Sequence, residues 1–359
     1  MYCYSNSIGK QGIRKRVLFR TGNFMKEIFD IDFVIPWVDG SDPQWIAEFN
    51  KYAPKEKRLD IDSSEKRYRD YGLLRYWFRG VEKFAPWVRT VHFVTCGQKP
   101  DWLNLDSPKL HWVKHSDYIP QEYLPVFSAN PIELMMHKIT GLTEYFVYFN
   151  DDFFLTAPVR KNFFFKNGLP RDSAVMEVKS SGELPMLGIN FNNLNIINAQ
   201  FSKRSVIQRN FFKWFSLQYG KHLWKNVSLL PWPKFCGFLN PHMPQPFTKS
   251  CIEKVWKRCG ERLAETMAHR FRSPFDVNQW LFRHWALCEG KFAPIHPTKG
   301  RWCFDLTDGS TEKIANCIKS HTYKEIVIND SEIEDFDIAM EKIKNAFEVI
   351  LPEKSTFEI

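Results

Sequence analysis

The chain has 359 residues, 44% of them hydrophobic and 25% charged, so we expect one elaborated globular domain or two lobes. Its eight Cys include no C-x-x-C pair, which argues against a disulfide framework or a zinc site. The net charge is +9; residues 330–359 carry nine acidic and three basic side chains, a net of −6, so the remainder carries +15. A positive charge of this size either favours binding of an anionic partner, such as a phosphorylated substrate, a membrane surface or a nucleic acid, or belongs to a merely solvated basic surface.

Residues 1–30 are predicted to form a basic tail. They lack the apolar stretch of a signal peptide, and the sequence contains no apolar run long enough to span a bilayer. We therefore expect a cytoplasmic protein with reduced cysteines. The basic segment from Arg14 to Arg20 either contacts the cytoplasmic face of the membrane, as a peripheral anchor, or remains a flexible tail.

Residues 31–170 alternate predicted strands and helices. Continuous apolar character, as in "IDFVIPWVDG", is typical of a strand covered on both faces, whereas "RYRDYGLLRYWFRGVEKF" has apolar side chains at helical spacing. This alternation predicts an α/β core with a mainly parallel sheet and helices on both faces. The predicted elements are strands over 31–40, 90–95, 109–115 and 144–150, a helix over 67–84, and a second helix with Asn130 as its cap and Pro131 in first position.

Residues 171–359 are predicted to form a mixed, mostly helical part that completes the active site and the acceptor pocket. No internal repeat or obvious linker separates them from the first half, so both halves should form one catalytic unit. The Asn-rich stretch 190–201 is ambiguous. The predicted elements are a strand over 173–178, helices near 205–224, 251–268 and 276–289, a strand over 324–329 and a helix over 331–350.

Two acidic turns follow predicted strands. "FNDDF" places Asp151 and Asp152 between aromatic residues, where two carboxylates need a metal ion, a basic side chain or water as a partner. "WVDGSDP" places Asp39 and Asp42 around Gly40, which is either a simple turn or a point of close backbone approach to a ligand. Because ligands bind beyond the carboxyl ends of parallel strands, both turns are expected near one site.

Four further segments have a structural and a functional interpretation. Arg69 and Asp70 form either a phosphate-binding pair or a surface ion pair. His242 lies between prolines in a rigid loop that could present an imidazole, and Arg272 lies in a similar loop. Asp330 follows another apolar strand and either caps the next helix or joins the site.

Taken together and in this order, the motifs resemble the four sequence blocks of the Stealth family, which includes bacterial capsular-polysaccharide hexose-1-phosphate transferases and the animal lysosomal-enzyme N-acetylglucosamine-1-phosphotransferase. "FVIPWVDGSDPQW" resembles the first block and residues 67–159 the second; "HMPQPFTK", continuing through "FRSPFDVNQWLF", resembles the third; and "IVINDSE", running on to "STFE", resembles the fourth. The resemblance covers well over half of the chain.

This resemblance implies a nucleotide-sugar-transferase-like core of the GT-A or Rossmann-like class, a UDP-sugar donor and Mg²⁺ or Mn²⁺. The implied reaction transfers a sugar-1-phosphate to a hydroxyl of a capsular or cell-surface glycan, with release of UMP. The candidate residues are Asp151, Asp152, His242 and Arg272 for catalysis; Trp37, Asp39, Gly40, Asp42, Arg69, Asp70 and Arg75 for donor binding; Asp152 and Asp330 for the metal; and His137, Asn150 and Asn329 as further candidates.

Some family members carry Asn where this chain has Asp39, so ligand contact is expected there rather than general-base catalysis. His242 or Asp151 is expected to take the acceptor proton. The alternative enzyme is a metal-dependent glycosyltransferase that uses the same donor and releases UDP. A nucleic-acid-binding protein is the third hypothesis, but the basic residues are dispersed and no known binding signature occurs, so no nucleic-acid partner is expected. Contact with the capsule machinery fits the family, and the oligomeric state is left open.

Overall fold

The structure is a computed structural model that describes residues 29–55, 71–180, 185–331 and 333–359. The predicted basic tail, except its last two residues, lies outside the described residues, and so do Arg69 and Asp70. Within the described ranges, no helix combines the length and the apolar character needed to cross a membrane.

Strands and helices alternate through the first half and recur in the second. The strands are β1 (Ile31–Pro36), β2 (Val91–Thr95), β3 (Leu110–Lys114), β4 (Tyr145–Tyr148), β5 (Phe153–Leu155), β6 (Phe165–Lys166), β7 (Leu169–Asp172), β8 (Gln245–Thr248), β9 (Ala293–Pro294), β10 (Arg301–Asp305) and β11 (Glu325–Asn329). The α-helices are α1 (Pro43–Tyr52), α2 (Leu74–Phe84), α3 (Ala129–Leu134), α4 (Lys161–Phe164), α5 (Pro185–Gln200), α6 (Lys203–Arg209), α7 (Phe211–Trp214), α8 (Leu223–Ser228), α9 (Lys249–Met267), α10 (Trp280–Glu289), α11 (Asp308–Lys319) and α12 (Phe336–Ile350). Short 3₁₀ helices span His115–Asp117, Gln121–Tyr123, Met136–Lys138 and Leu217–His222.

The central sheet has the strand order β3-β2-β1-β4-β8. The first four strands are parallel, and β8 joins β4 in the antiparallel direction. Phe33 and Val34, which are successive residues of β1, face two different cores, one on each side of the sheet. The first core contains residues of α2, α11 and α12, and the second contains residues of α3, α5, α9 and α10. The predicted α/β architecture is therefore confirmed.

A second sheet has the strand order β10-β11-β5, and a small third sheet has the order β6-β7-β9. The chain leaves β4, makes the turn at Asn150–Asp152 and enters β5, so this turn links the two larger sheets. Because β8, β10 and β11 come from the second half of the chain, residues 171–359 supply strands as well as helices to the framework of the site.

One charged side chain lies inside the central sheet. Asp32 of β1 is fully buried and accepts hydrogen bonds from Arg89 Nε at 2.8 Å and the backbone N–H of Thr143 at 2.9 Å, and His92 Nε2 lies 3.1 Å from its Oδ2. Burial acts to raise the pKa of Asp32, but the bonds to His92 and Arg89 outweigh it and lower the pKa to about 2. The cluster ties the amino ends of neighbouring strands together.

The structure corrects two sequence-based predictions and assigns one segment that the sequence left ambiguous. Ser128, not Asn130, caps α3, because its side chain accepts the backbone N–H of Asn130. Residues 173–178 form no strand and make only an isolated bridge between Met176 and Phe238. The ambiguous Asn-rich stretch lies in α5 and the residue that follows it, a helix that propensity alone would not favour but that packing against α10 stabilises.

Candidate functional site

A cavity of about 670 Å³ opens where β1, β4 and β11 end. Such volumes are typical of small-molecule sites. Eight predicted residues line it: Trp37 just after β1, Asn150, Asp151 and Asp152 from the β4–β5 turn, Asn329 at the end of β11 and Asp330 just after it, and His242 and Arg272 from loops. The sequence motifs thus meet in one place.

Strand pairing explains why His242 reaches the acidic turn. In the antiparallel pair of β4 and β8, Tyr148 lies opposite Gln245. Because an antiparallel register moves in opposite directions along the two strands, the loop just before β8 lies beside the turn just after β4. His242 Nε2 lies 3.2 Å from Asp152 Oδ2, and its ring packs edge-to-face on Phe153 at 4.8 Å. The imidazole is 42% exposed, so it is fixed on one side and accessible on the other.

The second sheet places Asp330 in the same cavity. β5 pairs with β11 so that Phe153 lies opposite Val327, and the N–H of Ile328 donates to the carbonyl of Asp152 at 3.0 Å. Asp330 follows two residues later. It does not cap α12, whose N-cap is Asp335, so the capping interpretation of Asp330 is wrong.

Two carboxylate oxygens of this turn region have unused bonding capacity. Asp152 Oδ1 and Asp330 Oδ1 are both buried, and neither accepts a hydrogen bond from any described residue. An unpartnered buried carboxylate oxygen is costly, and a divalent cation offsets that cost. Within the described ranges there is no cluster of three or more His, Cys, Asp or Glu side chains arranged around a metal position. Mg²⁺ typically takes only one or two carboxylates together with substrate phosphates, so this pair fits it.

Tyr71 also lines the cavity, close to its carboxylates. Burial raises the pKa of the Tyr71 phenol, and the charges of Asp330, Asp152 and Asp151 raise it further. The phenol therefore stays protonated and acts as a hydrogen-bond donor, with Asp330 as its partner. Tyr71 was not predicted as a site residue, although it follows Arg69 and Asp70 in the same motif.

Arg272 brings a positive charge to the cavity. It lies on a loop that is held by the hydrogen bonds of a buried carboxylate. The buried Asp276 accepts hydrogen bonds from Asn130 Nδ2 at 2.7 Å and from the backbone N–H of Ser273 at 2.9 Å, and His269 Nδ1 lies 2.7 Å from its other oxygen. These contacts fix the 269–276 loop against α3. The guanidinium is thereby positioned at the cavity wall, where it can neutralise phosphate oxygens.

Glu133 is a cavity residue that was not predicted as part of the site. It is buried, lines the cavity, accepts a hydrogen bond from the Tyr148 hydroxyl at 2.9 Å and another from the Gln279 N–H at 3.3 Å. Burial raises its pKa to about 7, even though both hydrogen bonds oppose the shift. The available signal was an acid inside the apolar run "PIELMM".

Three of the predicted donor-binding residues do not line the cavity. Asp39 Oδ1 accepts bonds from the N–H and hydroxyl of Ser41, and Asp42 caps α1 through the Gln44 N–H, so both shape the turn that contains Gly40. Gln98, which was not predicted, holds this turn by donating to Asp42 Oδ2 at 2.9 Å. The structure therefore places this turn next to Trp37 and Val38, which do line the cavity.

Two other predicted residues also lie away from the cavity lining. The Arg75 guanidinium lies 5.1 Å from the ring of Trp102 on the outer side of α2. His137 is buried, with its ring 6.0 Å from that of Trp256, and burial lowers its pKa to about 4, so it stays neutral. This environment is typical of a packed core histidine.

Three protein-family models match the chain. They are Stealth protein CR1, conserved region 1, over residues 29–57; Stealth protein CR2, conserved region 2, over 67–172; and Stealth protein CR3, conserved region 3, over 241–286. They cover the predicted first three blocks and include the β4–β5 turn, His242 and Arg272. The fourth block, which contains Asp330, stays a prediction.

Several known proteins are similar to nearly the whole chain. Capsular polysaccharide phosphotransferase WcwK of Streptococcus pneumoniae is 40% identical over 335 residues, which cover 93% of this chain and 99% of that protein. Receptor polysaccharide phosphotransferase WefC of Streptococcus gordonii is 40% identical over 342 residues, with coverages of 92% and 99%. Exopolysaccharide phosphotransferase cps2G of Lactiplantibacillus plantarum is 39% identical over 333 residues, with coverages of 92% and 96%.

Proposed function

The chain belongs to the Stealth family, as its sequence predicted, and is a phosphotransferase enzyme; from that premise we propose the reaction that its cavity carries out. It transfers a hexose-1-phosphate or N-acetylhexosamine-1-phosphate from a UDP-sugar to a hydroxyl of a capsular or cell-surface glycan. The observation that carries the proposal is the meeting of Asp152, Asp330, His242 and Arg272 in one cavity, although they lie far apart in the sequence.

In the proposed reaction, the acceptor oxygen attacks the β-phosphorus of the donor. A bond forms between that oxygen and phosphorus, the bond from phosphorus to the bridging oxygen breaks, and UMP leaves with the bonding electron pair. The hydroxyl proton passes to a base of the enzyme. Catalysis therefore requires neutralisation of the diphosphate, an in-line acceptor and a position for the proton.

The orphaned oxygens of Asp152 and Asp330 would hold Mg²⁺ or Mn²⁺, which supplies charge neutralisation to the diphosphate when bound. Arg272 adds a second positive charge at the cavity wall. We assign the donor nucleotide to the side of the cavity formed by Trp37 and the turn that Asp39 and Asp42 stabilise. Arg69 and Asp70, which lie outside the described residues, stay predictions for the phosphate side.

His242 is the preferred base. When its Nε2–H donates to Asp152 Oδ2, at 3.2 Å, Nδ1 carries the lone pair that can accept the hydroxyl proton. Asp152 then orients the imidazole through one oxygen and leaves the other for the metal. Asp151 lines the same cavity and is the alternative base.

Product analysis tests this function against the glycosyltransferase alternative, in which the acceptor attacks the sugar carbon. The protein is incubated with a panel of UDP-sugars, Mg²⁺ and glycan acceptor, and the nucleotide product is identified. UMP together with a phosphodiester-linked glycan supports phosphotransfer. UDP as the sole product contradicts it, and so does the absence of turnover with every donor in the panel.

We further propose that the reaction takes place in the cytoplasm, as the cysteine pattern predicted. The described cysteines, Cys96 and the six that follow it in the chain, are all free thiols, which suits a reducing compartment. Fractionation of cells that express the protein tests the location. Recovery of the protein from the extracellular medium would contradict it.

A further inference from the structure

One stretch of the second half exposes apolar side chains to an unusual degree. Of the large hydrophobic side chains exposed in the described part of the chain, nearly half come from residues 211–232, which we call the aromatic segment. Within the aromatic segment, the most exposed are Phe212 at 88%, Leu217 at 87% and Trp224 at 63%. The full set is Phe211, Phe212, Leu217, Trp224, Val227, Leu230 and Trp232. Concentrated exposure of this kind marks an interaction surface.

The backbone beneath these side chains is firmly held. The buried Asn226 donates from its amide to the carbonyls of Ala174 and Trp214, at 2.7 and 2.6 Å, and so ties α8 to α7. The buried Lys203 donates to the carbonyls of Leu229 and Trp232, at 2.5 and 2.7 Å. These hydrogen bonds fix the backbone of the segment, so its exposed aromatic side chains project from a firmly held framework.

The charge of this region is of a single sign. Residues 184–252 contain eight Lys or Arg and no Asp or Glu. Arg204, Arg209, Lys221 and Lys234 are exposed within or beside the aromatic segment. The acidic side chain that contacts α8, Glu177, is bound by both Lys179 and Lys225, at 2.7 and 2.6 Å, and so is neutralised.

We propose that the aromatic segment docks the enzyme onto an anionic phospholipid bilayer. Trp and Phe side chains partition into the interfacial region of a bilayer, and neighbouring Lys and Arg attract acidic headgroups. A second copy of this chain is a poorer occupant, because a two-fold interface would bring two positively charged surfaces together. The contact is peripheral, and it does not depend on the proposed sugar-phosphate chemistry.

Vesicle co-sedimentation of the full chain tests the proposal. Vesicles of phosphatidylglycerol and phosphatidylcholine are compared with vesicles of phosphatidylcholine alone. The wild-type chain is expected to bind the anionic vesicles, and Phe212→Ser combined with Trp224→Ser should lower the partition coefficient by about tenfold or more. Arg209→Glu combined with Lys221→Glu should lower it similarly, and addition of salt should weaken wild-type binding.

The matched control replaces two exposed apolar residues elsewhere, Ile338→Ser with Val349→Ser, which are 51% and 65% exposed on α12. This control should bind like the wild type, and an unchanged Tm shows that each variant is folded. Anionic-vesicle binding that persists in the aromatic variant, for example through the basic tail, overturns the proposal. Failure of the wild type to bind also overturns it, as does a wild-type dimer in sedimentation velocity that the aromatic variant no longer forms.

Discussion

His242 Nε2 lies 3.2 Å from Asp152 Oδ2, although 90 residues separate them in the chain. The backbone carbonyl of Asp152 accepts the N–H of Ile328 in β11, and its Oδ2 contacts the imidazole, while its Oδ1 is buried and has no hydrogen-bond partner among the described residues. Asp152 therefore contacts both larger sheets, the proposed base and the proposed metal position.

Replacement of Asp152 by Asn tests the expected metal position. The neutral amide keeps the shape of the side chain but removes the negative charge at Oδ1, so kcat should fall on the order of a hundredfold or more. Excess Mg²⁺ should restore part of the activity if the loss is one of metal affinity. Activity is measured as UMP release across a Mg²⁺ titration. A wild-type rate at low Mg²⁺ would contradict this role.

Replacement of His242 by Ala tests the proton acceptor. Because the imidazole is partly exposed and makes one hydrogen bond, to Asp152, and one ring contact, with Phe153, among the described residues, its removal should leave the fold intact. We expect kcat to fall by a factor of about 10² to 10⁴, with the Kd for the UDP-sugar largely kept. Calorimetry measures the Kd for the UDP-sugar, and single-turnover experiments measure the rate of the chemical step. Loss of donor affinity with an unchanged chemical rate would assign His242 to binding instead.

Replacement of Glu133 by Gln tests the buried carboxyl in the cavity wall. Its folded-state pKa of about 7 exceeds the ordinary value of 4.5, so the folded protein retains a proton that the unfolded chain releases. The free energy of unfolding should therefore decrease as the pH rises from about 4.5 to 7, by up to roughly 3 kcal/mol. The Gln variant should lose this component of the pH dependence. Urea unfolding at pH 5.0 and 7.5 measures the change in the free energy of unfolding between the two pH values. An equal change in the wild type and the Gln variant would contradict the assignment.

The sequence predicted most of the central framework, because strongly apolar strands and periodic helices are local signals. It also predicted the acidic turn, because the turn directly follows an apolar strand, and His242, because prolines flank it. It did not predict Glu133 or Gln98, since their roles depend on partners that pairing of distant strands brings close. The helical state of the Asn-rich stretch in α5 was likewise unpredictable, because tertiary packing rather than propensity stabilises it.

Replacement of Gly188 by Ala tests how the Arg272 loop is positioned. A Cβ at Gly188 would lie 2.6 Å from the backbone carbonyl oxygen of Pro274, so the 269–276 loop must shift to admit it. Arg272 lines the cavity from this loop, and we expect KM for the donor to rise several-fold with a smaller effect on kcat. Steady-state kinetics with varied UDP-sugar measure both constants. Gly260→Ala in α9, where the nearest atom is 3.8 Å away, is the matched control. Equal constants in both variants would show that the loop position does not govern donor binding.

Replacement of Asp32 by Asn tests the buried ion cluster, which lies at the end of β1 opposite the cavity. Because the folded-state pKa of Asp32 is lowered to about 2 from 3.8, its contribution to stability is fully present above pH 3.8 and is lost as the pH falls toward 2. At neutral pH the Asn variant should lose about 2 kcal/mol or more, because Arg89 and the buried His92 keep their places without a negative partner. The kcat of the folded fraction should stay at the wild-type value. Chemical denaturation at pH 7 and UMP release from freshly prepared protein measure the two effects separately. A variant as stable as the wild type would show that the cluster contributes no net stability, and a selective loss of kcat would show that it acts on the distant cavity.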